Sequence, residues 1–241
     1  YAGGNGIKVT PQVTILDAEE KKAEADITVE VWVSGDAKEV SVTVDGMTEK
    51  AAVADGYAKA KFALRQVHLW DGTVDPYLYT AKAVIEGKDA VETTFGCRTF
   101  RMDPQKGFFL NGRSYPLHGV SRHQDRAGAG NALNVSMHEE DMELIKEIGA
   151  NTIRLAHYQH AQEFYDLCDR NGMVVWAEIP YITMHMTKGN ANTQSQMEEL
   201  VVQNYNHPSI VCWGLSNEIT AASAVDEDLT ENHRKLNDLC H

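Results

Sequence analysis

Met142-Glu143-Leu144-Ile145-Lys146-Glu147-Ile148-Gly149-Ala150-Asn151-Thr152-Ile153-Arg154-Leu155 carries a helix, a stop and a strand in fourteen residues. Met142, Ile145 and Ile148 share one stripe at helical spacing, within a helix expected over residues 138–148. Gly149 is the residue that closes such a helix in a left-handed conformation. Thr152–Leu155 then reads as a short strand. The alternation continues with a helix at 161–170, a strand at 173–179 and a helix at 193–205. A strand at 210–215 and a helix at 226–239 complete it. With Tyr115–Val120 as the first strand, residues 102–241 hold four strand–helix units, the pattern of a parallel α/β sheet. A closed eight-fold β/α barrel needs about 250 residues. A doubly wound open sheet would carry a glycine-rich phosphate turn after its first strand. Here Gly119-Val120-Ser121-Arg122-His123 has no such turn. Length and motif together favour the first half of a TIM-type barrel.

Upstream of Met102-Asp103-Pro104 the period is two. Ala25, Ile27, Val29, Val31 and Val33 alternate with polar residues, as do Val40, Val42 and Val44, and Asp45-Gly46 is a hairpin signal. Further strands are expected at 58–64, 77–85 and 91–98. Several short strands in roughly 100 residues suggest an immunoglobulin-like β-sandwich. The expected architecture is therefore multi-domain, β then α/β. A sandwich spans residues 1–101, and a partial TIM β/α barrel, its first four units, spans 102–241.

Composition excludes several functions. Lys and Arg number 22 against 35 Asp and Glu, a formal charge of −13. Such a chain is repelled by nucleic acid and by anionic membrane surfaces, whereas a neutral sugar is indifferent to the charge. No apolar run reaches the roughly 20 residues of a membrane span. There is no secretory leader, but the chain begins at Tyr1, so its absence says nothing about secretion. Cys97, Cys168, Cys212 and Cys240 are widely spaced and form no metal-finger pattern. Cys168 and Cys212 read as buried thiols. The whole fits a cytoplasmic or periplasmic bacterial enzyme.

Functional groups of a β/α barrel gather at the carboxyl ends of its strands. Those ends supply Arg122, His123 and Asp125, then Arg154 and His157, then Glu178, then Ser216-Asn217-Glu218. Glu218 follows the apolar run Ile210–Leu215, whose mouth is expected to desolvate a carboxyl group and raise its pKa, as a general acid requires. The alternative is a Glu that caps the next segment or pairs with an Arg. His157 and His160 read first as a surface pair at a helix start, and no third metal ligand stands near them. His185, among Met184 and Met186, reads as loop packing. Trp70 and Tyr77–Tyr79 suit a sandwich corner better than an aromatic sugar platform. Asp226-Glu227-Asp228 places favourable charge at a helix N-terminus.

His207-Pro208-Ser209-Ile210-Val211-Cys212-Trp213-Gly214-Leu215-Ser216-Asn217-Glu218 resembles the acid/base signature of glycoside hydrolase family 2, the β-galactosidase and β-glucuronidase family. Phe109–Arg113 with His118–His123, Arg154–Tyr158, Phe164–Asp169 and Val175–Glu178 are similar to its barrel motifs, in order. Leu69-Trp70, Pro76–Tyr79 and Phe95–Arg98 resemble its central immunoglobulin-like domain. The resemblance implies retaining hydrolysis with Glu218 as acid/base and a second Glu as nucleophile, the two carboxyl groups roughly 5–5.5 Å apart. It also implies that Asn217 holds the sugar 2-hydroxyl and that His123 and His157 meet other hydroxyls or the developing positive charge. Arg154 would orient carboxylates, and Glu178 would support the site or serve a purely structural pair.

The sequence departs from the family's pattern in three ways. The nucleophile is expected near a seventh strand, which these residues do not include. The family's leading sugar-binding β-domain is also missing. Pro180-Tyr181-Ile182-Thr183-Met184-His185 does not keep the metal-ligand pattern of some β-galactosidases, so no cofactor is carried over, although a divalent metal stays open for a longer parent protein. The expected substrate is a terminal β-D-galactoside, with a glucuronide or mannoside as alternatives within the family. A non-catalytic carbohydrate-binding module is the alternative of another class. A half barrel also leaves strand edges and an inner apolar face open, which predicts self-association.

Overall fold

The computed structural model describes residues 4–241; residues 1–3 of the expected sandwich lie outside the described residues. The strands of the first part are β1 (Ile7–Asp17), β2 (Lys22–Trp32), β3 (Glu39–Val44), β4 (Met47–Ala52), β5 (Tyr57–Leu64), β6 (Tyr79–Ile85), β7 (Asp89–Phe95), β8 (Phe100–Asp103), β9 (Gly107–Leu110) and β10 (Arg113–Ser114). The second part runs β11 (Gly119–Arg122), α1 (Val135–Glu147), β12 (Thr152–Leu155), α2 (Gln162–Asn171), β13 (Val174–Glu178), α3 (Asn190–Asn204), β14 (Ile210–Gly214) and α4 (Glu227–Leu239). The chain divides into two compact units. One comprises Tyr1–Leu117, Asp169–Gly172 and Tyr205–Pro208, and the other His118–Cys168, Met173–Asn204 and Ser209–His241.

The first unit holds a β-sandwich of two antiparallel sheets, ordered β1-β2-β5 and β4-β3-β6-β7. Alternation builds its core, because successive side chains of a strand point to opposite faces. Ala25, Ile27, Val29 and Val31 from one sheet meet Val40, Val42, Val44, Ala81 and Phe95 from the other, all buried. Val33 only packs against the edge of that core. Asp45 (φ 49°) and Gly46 (φ 75°) form the two-residue turn that pairs Val44 with Met47, the positive-φ geometry that suits strand twist. β1 escapes the sequence reading, and its Pro11 argues against a ladder position. As an edge strand paired only with β2, it tolerates the missing N–H.

A three-stranded meander, β10-β9-β8, closes this unit. Asn111 (φ 52°) and Gly112 (φ 80°) turn β9 into β10. The first barrel strand begins at Gly119 rather than at Tyr115. The Tyr115 amide instead donates to Phe108 O at 2.9 Å, and Pro116 has no N–H for a ladder. Trp70 is wholly buried, its Nε1 donating to Asp169 O at 2.9 Å, so it offers no face to a sugar.

The second unit is a parallel sheet ordered β11-β12-β13-β14, flanked by α1–α4. Ile153, Leu155, Val175, Ala177 and Ile210 join the core formed with Met142, Phe164, Met197, Leu200 and Leu236 of the helices. The stripe of α1 is His138, Met142 and Ile145, all buried, whereas Ile148 is 68% exposed. Ile148 is the C-cap, beyond the last regular turn, so the helical period no longer turns it inward. Cys168 is buried as expected, but Cys212 is only half-buried. No helix among the described residues is long and apolar enough to cross a membrane.

Candidate active site

Arg154 lies at the centre of the polar end of the parallel sheet. It is in register with Ser121 on β11 and Trp176 on β13, while Glu178 is in register with Gly214 on β14. Gly214 is what allows the close approach. A Cβ there would lie 2.4 Å from Trp176 Nε1 and 2.6 Å from Glu178 Cγ, too near for any side chain.

Glu178 is 1% exposed and would be costly to bury alone. Arg154 answers it with a fork. Nε donates to Oε1 at 2.6 Å and Nη2 to Oε2 at 3.2 Å. The same Nη2 donates to Asn217 Oδ1 at 2.7 Å. His157 Nδ1 lies 3.0 Å from Nη2 and 3.1 Å from Glu178 Oε2. Nη2 has only two hydrogens, and Asn217 and Glu178 take both. His157 therefore satisfies the group by donating Nδ1–H to Glu178, which leaves Nε2 free to accept. With its Oδ1 turned to Arg154, the Asn217 amide presents its NH2 as a donor. The Ala156–His157 peptide bond is cis.

His123 is exposed at the end of β11, its ring 5.0 Å from that of His157 and its Nδ1 3.5 Å from Tyr158 Oη. Arg122, by contrast, turns into the protein. Its Nε and Nη2 donate to Asp141 Oδ2 at 3.0 and 2.6 Å, and its Nη1 and Nη2 reach His160 Nδ1 and His138 Nδ1 at 3.0 Å. Its guanidinium also stacks 3.8 Å from the centre of the Phe164 ring. His160 is not a surface partner of His157, being 3% exposed. Burial, with Arg122 nearby, lowers its pKa from 6.5 to about 4, so the neutral ring donates Nε2–H to Ala156 O at 3.1 Å.

Glu218 departs from expectation. It is exposed, and none of the hydrogen bonds described involves its carboxylate. The apolar strand ends at Gly214, so the desolvation expected from that run does not reach Glu218 within these residues. Backbone contacts fix its place instead. Asn217 N donates to Tyr181 O at 3.0 Å, Thr183 N to Asn217 O at 3.0 Å, and Glu218 takes φ 49°. Around this turn stand Ser216, part of the strand-end motif, and two residues to which the sequence reading gave no role, Tyr181 and His233. Only the position of Tyr181 just past β13 hinted at a role. His185 bridges Tyr181 Oη at 2.6 Å and Asp228 Oδ2 at 2.7 Å. With both ring nitrogens so engaged, it is a hydrogen-bond bridge rather than simple loop packing.

The family model described as glycosyl hydrolases family 2, TIM barrel domain, matches residues 103–239. A second, described as glycosyl hydrolases family 2, matches residues 4–98. The chain belongs to glycosyl hydrolase family 2. A β-glucuronidase of Bacteroides fragilis is 44% identical over 199 residues, covering 77% of this chain and 28% of the relative. A β-galactosidase of Bacteroides ovatus is 31% identical over 248 residues, covering 91% of this chain and 28% of the relative. The crystal structure of an FMN-binding β-glucuronidase from Facaelibacterium prausnitzii superposes with a TM-score of 0.89 at 39% identity, over 100% of this chain and 38% of that one. The chain thus spans well under half the length of these relatives. Within the family, the β-sandwich and the four parallel strands are the immunoglobulin-like part and the partial barrel.

Proposed function

We propose that these residues form the acid/base half of a retaining glycosidase site, with Glu218 as the proton-transfer group. The observation that carries this reading is the fork of Arg154, which orients Asn217 with its amide donor free beside Glu218. In the first step Glu218 gives its proton to the glycosidic oxygen as the C1–O bond breaks. A second carboxylate, expected from a part of the family's barrel beyond these four strands, bonds to C1. In the second step Glu218 takes a proton from water, and that water releases the sugar. Asn217 Nδ2 suits the 2-hydroxyl, and His157 Nε2 and the exposed His123 suit neighbouring hydroxyls. Arg154 and Glu178 act beneath them, holding Asn217 and His157 in place.

For the sugar, the relative of B. fragilis supports a β-D-glucuronide. The B. ovatus relative, matching more of the chain, supports the β-D-galactoside read from the sequence. The test is hydrolysis of nitrophenyl β-glucuronide and β-galactoside by the full-length protein that carries this chain, beside Glu218→Gln. The variant is expected to lose on the order of 10²–10⁴-fold in turnover of the preferred substrate. Turnover within a few-fold of the parent would remove Glu218 from the mechanism.

A further inference from the structure

The Glu218 turn is held from one side by the backbone of the loop after β13, which His185 ties to α4, and from the other by His233 of α4. On the loop side, Asn217 forms a parallel bridge with Ile182, and Ala222 N donates to Thr183 O at 3.0 Å. That loop is itself tied to α4 through His185. Asp228, in the first turn of α4, accepts from His185 Nε2 at 2.7 Å and from Asn190 Nδ2 at 3.0 Å. With Nε2–H committed to a carboxylate, Nδ1 is the acceptor for the Tyr181 hydroxyl at 2.6 Å. The His185 amide also donates to Ser223 Oγ at 2.8 Å, just beyond the turn. The His185 side chain is only 5% exposed, and His185 lies in a loop that otherwise shows Ile182, Met184 and Met186 to solvent. On the other side, His233 of α4 donates Nδ1–H to Leu229 O at 2.9 Å, so its Nε2 accepts from Ser216 Oγ at 2.8 Å. Tyr181 packs its ring 5.4 Å from that of His233, joining the two attachments.

We infer that His185 is a positioning residue for proton transfer by Glu218: through Tyr181 and Asp228 it fixes the loop whose backbone sets the Asn217–Glu218 turn. The inference rests on the acid/base reading of Glu218. It is selective because the carboxylate of Glu218 has no described hydrogen bond of its own. Its aim at a leaving group therefore follows from the backbone that these contacts hold. Loosening the loop should harm protonation of the leaving group and leave sugar binding, centred on Arg154, nearly intact.

The experiment uses the full-length protein and two aryl β-glycosides of its preferred sugar. Phenyl is a poor leaving group that needs a proton, and dinitrophenyl departs without one. Glu218→Gln, His185→Phe and Tyr181→Phe are compared with the parent. Tyr181→Phe removes only the hydroxyl contact, so it keeps the test open should His185→Phe fail to fold. The expected result is a fall in kcat/KM, which reports the first step alone, of about 10-fold or more on the phenyl glycoside in the His185 and Tyr181 variants. The change in kcat/KM on the dinitrophenyl glycoside should stay within about 3-fold, because its leaving group departs without a proton. Equal losses on both substrates would show that the relay is merely structural and overturn the inference. So would no loss on either. If Glu218→Gln itself shows no difference in kcat/KM between leaving groups, the acid/base reading fails instead. A selective Glu218→Gln beside an unselective His185→Phe and Tyr181→Phe removes only the positioning role.

Discussion

Arg154 shows how much one side chain organises here, since it neutralises a buried carboxylate and orients an amide at once. Removing one partner of such a pair leaves the other charge buried and unpaired, at a cost of about 3–5 kcal/mol. Arg154→Ala should lower the unfolding free energy of the chain by that amount in urea titrations, and Arg154→Lys should recover little, because an ammonium lacks the planar fork. His160 makes a different prediction. Its folded pKa of about 4 lies below the ordinary 6.5, so the unfolded chain binds the proton more readily. Its contribution is whole above pH 6.5 and is lost as the pH falls toward 4. The difference corresponds to on the order of 3 kcal/mol. Urea titrations at pH 7 and pH 4.5 should therefore show a smaller acid loss in His160→Gln than in the parent. An equal loss would assign the acid sensitivity to other groups.

Among the elements, α4 combines an ordinary helix start with a less ordinary task. Asp226 is its N-cap, accepting from Leu229 N at 2.8 Å, with Glu227 and Asp228 in the first turn, where acidic groups complement the helix dipole. Asp226→Ala should cost about 1 kcal/mol, read as a lower urea midpoint at unchanged slope. Asp228 is held below the usual carboxylate range by its hydrogen bonds from Asn190 and His185, so it remains an acceptor for the loop. The helix start was legible as an acidic run that places favourable charge at its N-terminus. The link from Asp228 to the loop after β13 was not, since it joins residues 43 positions apart.

For the whole chain, the parallel sheet ends at β11 on one side and β14 on the other. Strand edges of this kind carry unpaired backbone groups that recruit partners. Its inner face is less apolar than a half barrel suggests. Ser121, Arg154 and Glu178 lie among its members, and Trp176, 43% exposed, is the large apolar one. Self-association of the 241-residue chain is therefore expected to run through the strand edges more than through that face. Light scattering should detect species larger than a monomer, and Trp176→Ala should change their proportion only modestly. A monodisperse monomer would count against edge pairing.

Periodicity and turn chemistry were enough for the fold class and most strands and helices, though not for β1 or the start of β11, because both act within a few residues of one another. The two-residue alternation of Ala25–Val31, the turns at Asp45-Gly46 and Asn111-Gly112, and the helix–strand rhythm after residue 138 each state a local preference. Strand ends likewise named Arg154, His157, Glu178, Asn217 and Glu218 as neighbours. What those neighbours do to one another depended on three-dimensional packing. The tertiary fold buried Glu178 under Arg154, drew Arg122 and His160 inward, and left Glu218 in solvent on a left-handed turn. Burial and hydrogen-bond partnership are set by chain segments distant in sequence, and they control whether a carboxylate is a paired structural charge or a free group at the site.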